Sequence, residues 1–183
     1  MLPVNSVSNI SFTSRYVDKV KVLKGQEPYF ANLVHFDLPE DMTKIKELCY
    51  TKDFISFGRQ LYSDLNRAPE YPVIKKYCFA LVNNNEKDFS NINIENVMGI
   101  YTLHESYVKE VPIKITYFIT KYDYQYGTKP NREYSEIGRG MYNSIKKQFP
   151  NKSLSGLSAV GAVSFWEKMG LEKITDRILI HRP

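Results

Sequence analysis

Ser135, Glu136, Ile137, Gly138, Arg139 and Gly140 follow a strand-like segment and open a stretch with helical apolar spacing. Two glycines at the mouth of a helix let a ligand approach the backbone where a Cβ would collide. The N–H groups of the first turn have no intrahelical acceptor, and the helix dipole favours negative charge at that end. Such a loop suits a phosphate or pyrophosphate. Arg139 brings a side chain able to make a charge-assisted bond to a phosphate, or to sit solvated on the helix surface. For Gly138 and Gly140 the competing role is close packing of the helix on a strand. A second run, Ala162 to Leu171 (AVSFWEKMGL), follows after one helix and one short strand.

The elements that must position these residues are legible from apolar spacing. Tyr29–Leu38 reads as a strand rich in aromatic and branched residues. Pro39, Glu40 and Asp41 start a helix carrying Met42, Ile45, Leu48 and Cys49. A second helix runs from about Phe54 to Asn66 on Phe57, Leu61, Tyr62 and Leu65, and Arg67–Pro72 is a loop. Lys75–Val82, Asn96–Leu103 and Pro112–Lys121 are three successive strands, the first two joined antiparallel by the polar connector Asn83–Asp88. Tyr122–Tyr134 is a long Tyr-rich loop, suited to a lid or binding element. The helix from Ser135 carries Ile137, Met141, Ile145 and Phe149 on one stripe and ends at Pro150. Ser153–Ser158 is a short strand, Val160–Met169 a helix with Gly170 as left-handed cap, and Ile174–His181 a final strand. The order β-α-α-β-β-β-α-β-α-β describes a single α/β domain, a mixed sheet of about six or seven strands flanked by helices. The domain spans residues 28–183, and residues 1–27 form an N-terminal arm or an extra strand.

This order and the two runs resemble the GCN5-related N-acetyltransferase (GNAT) family, most strongly from Val111 to Leu171. The family's pyrophosphate loop is Gln/Arg-x-x-Gly-x-Gly/Ala; Gly138 and Gly140 match it and Ser135 departs from its leading residue. The second family run is Ala-x-x-Phe-Tyr-x-Lys-x-Gly-Phe, matched here except for Trp166 and Leu171. The resemblance implies acetyl-CoA, or another acyl-CoA, as cosubstrate. It places the pyrophosphate on the N–H groups of Ile137, Gly138, Arg139 and Gly140. The pantetheine arm then pairs, as an added strand, with backbone near Phe118, Ile119 and Thr120. The amine attacks the thioester directly, without an acyl-enzyme. In the family the thiolate is usually protonated by a Tyr; at that position Trp166 supplies an indole N–H, a poor acid. Thus the thiolate leaves unassisted, another Tyr or a water substitutes, or acyl-CoA is bound without transfer. Glu105 and His104, with Glu110 and Asp123 beside the next strand, lie where a base is needed, and Glu105 is the catalytic candidate. Each of these acids has a competing role as a solvated loop charge.

Composition narrows the classes. The chain has 183 residues, 43% hydrophobic and 25% charged, with a net charge of +5. No apolar run approaches the roughly 20 residues of a membrane span, so no membrane role is expected. The N-terminus lacks the basic and apolar regions of a secretory signal. A cytoplasmic protein is expected, with signal-free export left open. Cys49 and Cys78 are too few and too far apart for a disulfide framework or metal site, and no metal cofactor is expected. Both read as small buried apolar residues. His35 and His181 lie in strands with no partner in view. The expected partner is an amine acceptor, whether a small molecule, a protein or an aminoacyl-tRNA; the oligomeric state is open. Two alternatives stand beside the enzyme: an acyl-CoA-binding module without turnover, and a less favoured nucleic-acid binder using the basic Tyr-rich loop.

Overall fold

Strands that are apolar on both sides belong in a sheet covered on both faces. Residues 74–82 (IKKYCFALV) have that character, and their side chains divide between two cores. Phe79 and Leu81 enter one, Cys78, Ala80 and Val82 the other. The computed structural model of the chain describes residues 15–38, 40–67, 74–86, 89, 92–124 and 132–183. Residues 1–14 of the expected arm lie outside the described residues, as do Pro39, most of the Arg67–Pro72 loop and the centre of the Tyr-rich loop, Tyr126 and Lys129 included.

In chain order the elements are β1 Arg15–Lys24, β2 Glu27–Phe36, α1 Met42–Cys49, α2 Ile55–Asn66, β3 Ile74–Val82, β4 Val97–Ser106 and β5 Ile113–Thr120. They continue with β6 Tyr134–Ser135, α3 Ile137–Gln148, β7 Leu154–Leu157, α4 Val163–Lys168, β8 Glu172–Lys173 and β9 Ile178–His181. The described strands form one sheet in the order β6-β1-β2-β3-β4-β5-β7-β9-β8. Nine strands stand against the six or seven read from the sequence. β1 was obscure because its outer face carries Lys19, Lys21 and other polar residues, while Val20 and Val22 alone are buried. β6 and β8 have two residues each, too short for any periodic signal. The β3–β4 pair is antiparallel, as the connector implied. Gly170 takes φ +87° just after α4, the left-handed cap expected of it.

α3 and α4 cover one face, with Ile137, Met141, Ile145 and Trp166 in a core that includes Val20, Val22, Leu33 and Tyr101. α1 and α2 cover the other through Ile45, Leu48, Leu61 and Leu65. Phe57, read as part of the apolar stripe of α2, is exposed and faces a cleft instead. Tyr134 is buried and stacks edge-on against Tyr29, so at least this tyrosine of the loop packs on the sheet. Cys49 and Cys78 are free and buried; burial raises the Cys49 thiol to about 12 and pushes Cys78 well up. Among the described residues no helix is long and apolar enough to cross a membrane.

Candidate active site

All described strand pairs are antiparallel except β5 with β7. That parallel pair is short: Ile113, Lys114 and Ile115 match Leu154, Ser155 and Gly156. β5 then runs on to Thr120, while β7 ends at Leu157 and the chain turns towards α4. The two strands therefore part. The register of β5 against β4 slips by one residue where they part, because Thr102 faces Tyr117 and Leu103 faces Ile115. Thr116 is the extra residue of a β-bulge, a device that bends a strand and ends its pairing. Beyond the bulge, Lys121 donates its N–H to Met98 O (2.8 Å). Alternate residues of an antiparallel ladder bond to the same neighbour, so Ile119 and Tyr117 are directed to β4 and Phe118 presents its N–H and C=O to the gap.

The N-terminus of α3 stands at this gap. Glu136, its N-cap, has φ +61°, a left-handed conformation that side chains seldom adopt and that gathers at functional sites. No side chain caps this end. The two glycines behind it have different work. A Cβ on Gly138 would lie 3.2 Å from Phe165 Cζ and 3.6 Å from Phe118 Cε1, on the wall of the cleft. A Cβ on Gly140 would meet Val20 Cγ1 at 2.7 Å and Lys21 O at 2.9 Å, against β1. The N–H of Gly140 is already bonded to Glu136 O (2.9 Å). Gly140, placed in the cradle from sequence, thus serves helix-to-strand packing; the N–H groups left at the helix mouth are those of Ile137, Gly138 and Arg139. Arg139 directs Nε to Glu136 Oε2 (2.9 Å).

One cleft of about 1060 Å³ is lined from both faces of the sheet, by α2 on one side and by α3 and α4 on the other. It includes Phe118, Ile119 and Thr120 of β5 and the helix mouth Glu136–Arg139. Its charge is lopsided. Among the described residues Arg132, Arg139, Lys168 and Arg177 line one end and Arg67, Lys76 and Lys114 the other, against two carboxylates, Glu136 and Asp64. The chain as a whole has 25 Lys and Arg against 20 Asp and Glu, so cationic groups are concentrated at the cleft.

Trp166 lines the cleft but is held in an aromatic cluster, with ring centroids 4.8 Å from Phe118, 4.9 Å from Phe165 and 5.8 Å from Tyr142. Tyr142 does not stand in for the missing acid: its hydroxyl is buried, lies off the cleft and is raised to about 12 by burial. Among the described residues, Tyr117 is the tyrosine that reaches the lining.

Glu105, the catalytic candidate, lies away from the cleft. Along β4, Tyr101 and Leu103 point to the α3 face, and Glu105 follows them. It accepts the Tyr77 hydroxyl (2.7 Å), pairs with Lys152 Nζ (3.4 Å) and does not line the cleft. One residue earlier the pleat reverses, and His104 faces α2 and the cleft. Its Nε2 lies 3.0 Å from Asp64 Oδ2, within ion-pair distance, and both atoms are buried without a hydrogen-bond partner. Glu110 is exposed in the β4–β5 turn, and neither it nor Asp123 lines the cleft. His35 stacks on Phe79, and His181 packs by Tyr142.

No family model matches the chain, and no curated protein matches it in sequence. Among solved structures, a protein assigned to the GNAT acetyltransferases, from Desulfovibrio desulfuricans, aligns with a TM-score of 0.52 over 83% of this chain and 98% of its own, at 11% identity. The chain has the GNAT fold. A tandem GNAT protein from the clavulanic acid biosynthesis pathway, solved without acetyl-CoA, aligns over 87% of this chain and 44% of its own, with a TM-score of 0.47 and 11% identity.

Within this GNAT fold the sequence reading missed Asp64 and the Thr116 bulge. Asp64 shares the α2 face of Phe57 and Gln60, positions separated by helical steps of three and four, and all three line the cleft. That spacing was the available signal. A bulge depends on cross-strand register and leaves no such mark in one strand. Among the described residues, no group of three His, Cys, Asp or Glu side chains is placed to hold a metal.

Proposed function

We propose that this protein is an acyl-CoA-dependent N-acyltransferase, most simply an N-acetyltransferase, moving an acetyl group from acetyl-CoA to an amine. The observation that carries the reading is the parting of β5 from β7 beside the uncapped mouth of α3, within a cationic cleft. An anionic, elongated thioester suits such a groove. Its pyrophosphate would lie on the N–H groups of Ile137, Gly138 and Arg139, with Arg132, Lys168 and Arg177 contributing charge. Its pantetheine amides would pair with the Phe118 backbone, as a strand added to β5. Pairing along the arm also aims the thioester at the bulge, where re-aimed amides polarise the carbonyl.

Transfer then needs orientation, an amine without its extra proton, and a carbonyl that tolerates developing negative charge. The C–N bond forms, the C–S bond breaks, and the thiolate takes the amine's second proton. Cys49 and Cys78 are absent from the cleft lining, consistent with direct attack. The acceptor enters from the α2 side, opposite the phosphates, as a small amine, a protein amine or an aminoacyl group on tRNA.

Calorimetry of the protein stripped of nucleotide tests the reading, with acetyl-CoA, dephospho-CoA and desulfo-CoA titrated in parallel. Micromolar binding that weakens when phosphate is removed is expected. Absence of acetyl-CoA binding would refute the enzyme reading. Binding without transfer to any amine would leave the acyl-CoA-binding module, for which Trp166 in place of a Tyr is the favouring observation.

A further inference from the structure

A base for the acceptor must stand in the cleft, on the side away from the phosphates, and must keep a lone pair for the amine. Among the described lining residues, Glu136 is at the helix mouth and Asp64 is turned onto His104. His104 is the imidazole of that lining. In the β-ladder it pairs with Lys114, two residues before the Thr116 bulge, or about 7 Å of strand. It therefore stands next to the point where β5 leaves β7, on the face from which α2 closes the cleft.

We propose that His104 is the general base for the acceptor amine and that Asp64 is its positioning residue. The assignment rests on the acyltransferase reading above. The His104 and Asp64 side chains are 16% and 28% exposed, so the pair is shielded yet reachable from the cleft. With Nε2 3.0 Å from the carboxylate, a small turn of the ring lets the neutral imidazole carry its proton there and keep the Nδ1 lone pair for the acceptor. The arriving ammonium gives one proton to Nδ1, and the nitrogen lone pair attacks the thioester carbon. Collapse expels the thiolate, which takes the remaining proton; the imidazolium returns its own to solvent.

The surroundings of the ring support this role. His104 is flanked in the sheet by Lys76 of β3 and Lys114 of β5, and faces Asp64 of α2; Arg67 and Tyr117 line the same end of the cleft. Lys76 Nζ is engaged by the carbonyls of Asp64 and Arg67 at the end of α2. Burial works to raise the Asp64 carboxyl, but the 3.0 Å contact with His104 and the charges of His104, Lys76 and Lys114 outweigh it and hold the group below its usual value. Asp64 therefore stays anionic and keeps the ring oriented, as the third member of a nucleophile–base–orienter set does.

The test needs no identified acceptor, because water stands in for the amine in the slow hydrolysis of bound acetyl-CoA. Thiol release is followed from pH 5 to 9 for the wild type, His104→Gln and Asp64→Asn, with acetyl-CoA affinity measured by calorimetry for each. In parallel, ¹⁵N-histidine spectra report the ring tautomer of the wild type and of Asp64→Asn; the chain has three histidines, so His104→Gln assigns the signal. We expect unchanged acetyl-CoA affinity and a fall in hydrolysis of about 100-fold or more in His104→Gln, within the usual range for a lost general base. The wild-type ring should carry its proton on Nε2. In Asp64→Asn the ring should lose its fixed tautomer, an Nδ1–H signal appearing beside the Nε2–H one as the rate falls; a merely structural Asp64 would lower the rate and leave the tautomer unchanged. Equal hydrolysis in wild type and His104→Gln with acetyl-CoA bound, or an Nδ1–H tautomer, would overturn the base and leave the cofactor reading intact. Failure of the wild type to bind acetyl-CoA would overturn both.

Discussion

The two glycines of the helix mouth should separate by experiment. In Gly140→Ala the new Cβ lies 2.7 Å from Val20 Cγ1 and 2.9 Å from Lys21 O, closer than real contacts allow. The second neighbour is backbone of β1, paired with β2 along its length, so relief requires α3 or the strand to move. Overpacking of this kind costs about 1–3 kcal/mol, and Ala in place of Gly within a helix returns up to about 1 kcal/mol. The balance is a loss of about 1 kcal/mol, or roughly 2–4 °C in Tm for a chain of this size. In Gly138→Ala the nearest atom is Phe165 Cζ at 3.2 Å, the far end of a half-buried ring that gives by a few tenths of an ångström. Its Tm should stay within about 2 °C of the wild type, while acetyl-CoA binding weakens by about tenfold or more, equivalent to about 1.4 kcal/mol or more. Thermal melts and calorimetry on both variants are decisive together. A Gly140→Ala protein with wild-type Tm and no acetyl-CoA affinity would refute the division of roles drawn here.

Other outcomes follow from the same geometry. Trp166→Ala removes the ring that joins Phe118, Phe165 and Tyr142, and should cost about 3 kcal/mol or more by chemical denaturation. Glu105→Gln should leave acetyl-CoA hydrolysis unchanged and shift stability by no more than about 1 kcal/mol, since it loses a partly exposed ion pair with Lys152; a collapse in rate would restore Glu105 as the base. Asp64 has a folded value below the ordinary 3.8, so its stabilisation is fully present above 3.8 and is lost as pH falls through the lowered value. The Tm difference between wild type and Asp64→Asn should therefore be largest near neutral pH and shrink below pH 3.8; a difference that grows on acidification would contradict the sign. Cys49 and Cys78 should resist thiol reagents in the native protein and react on unfolding, because burial keeps both protonated.

The glycine pair, the apolar stripe of α3 and the helix cap at Gly170 were legible because each depends on residues close together in the chain. Helical spacing marks the stripe and positive φ the cap. The same local signals misled where two uses of a residue share one pattern. Gly138 and Gly140 look alike in sequence, and what separates them is β1 lying under one and Phe165 beside the other. Phe57 fits an apolar stripe equally well whether it meets the core or a cleft. Glu105 and His104 are neighbours in sequence, yet the pleat sends them to opposite faces of the sheet, and a one-residue difference decides which lines the cleft.

By itself the sequence determined the four helices and six of the nine described strands in their order, and marked the glycine pair at the mouth of α3, since these follow from local spacing and backbone freedom. The tertiary structure alone decided the pairing of His104 with Asp64, forty residues apart, the parting of β5 from β7 and the packing role of Gly140. These are contacts between distant segments, set by strand register and by which face a helix covers. No local pattern encodes them, because the two sides of each contact are chosen only when the sheet assembles.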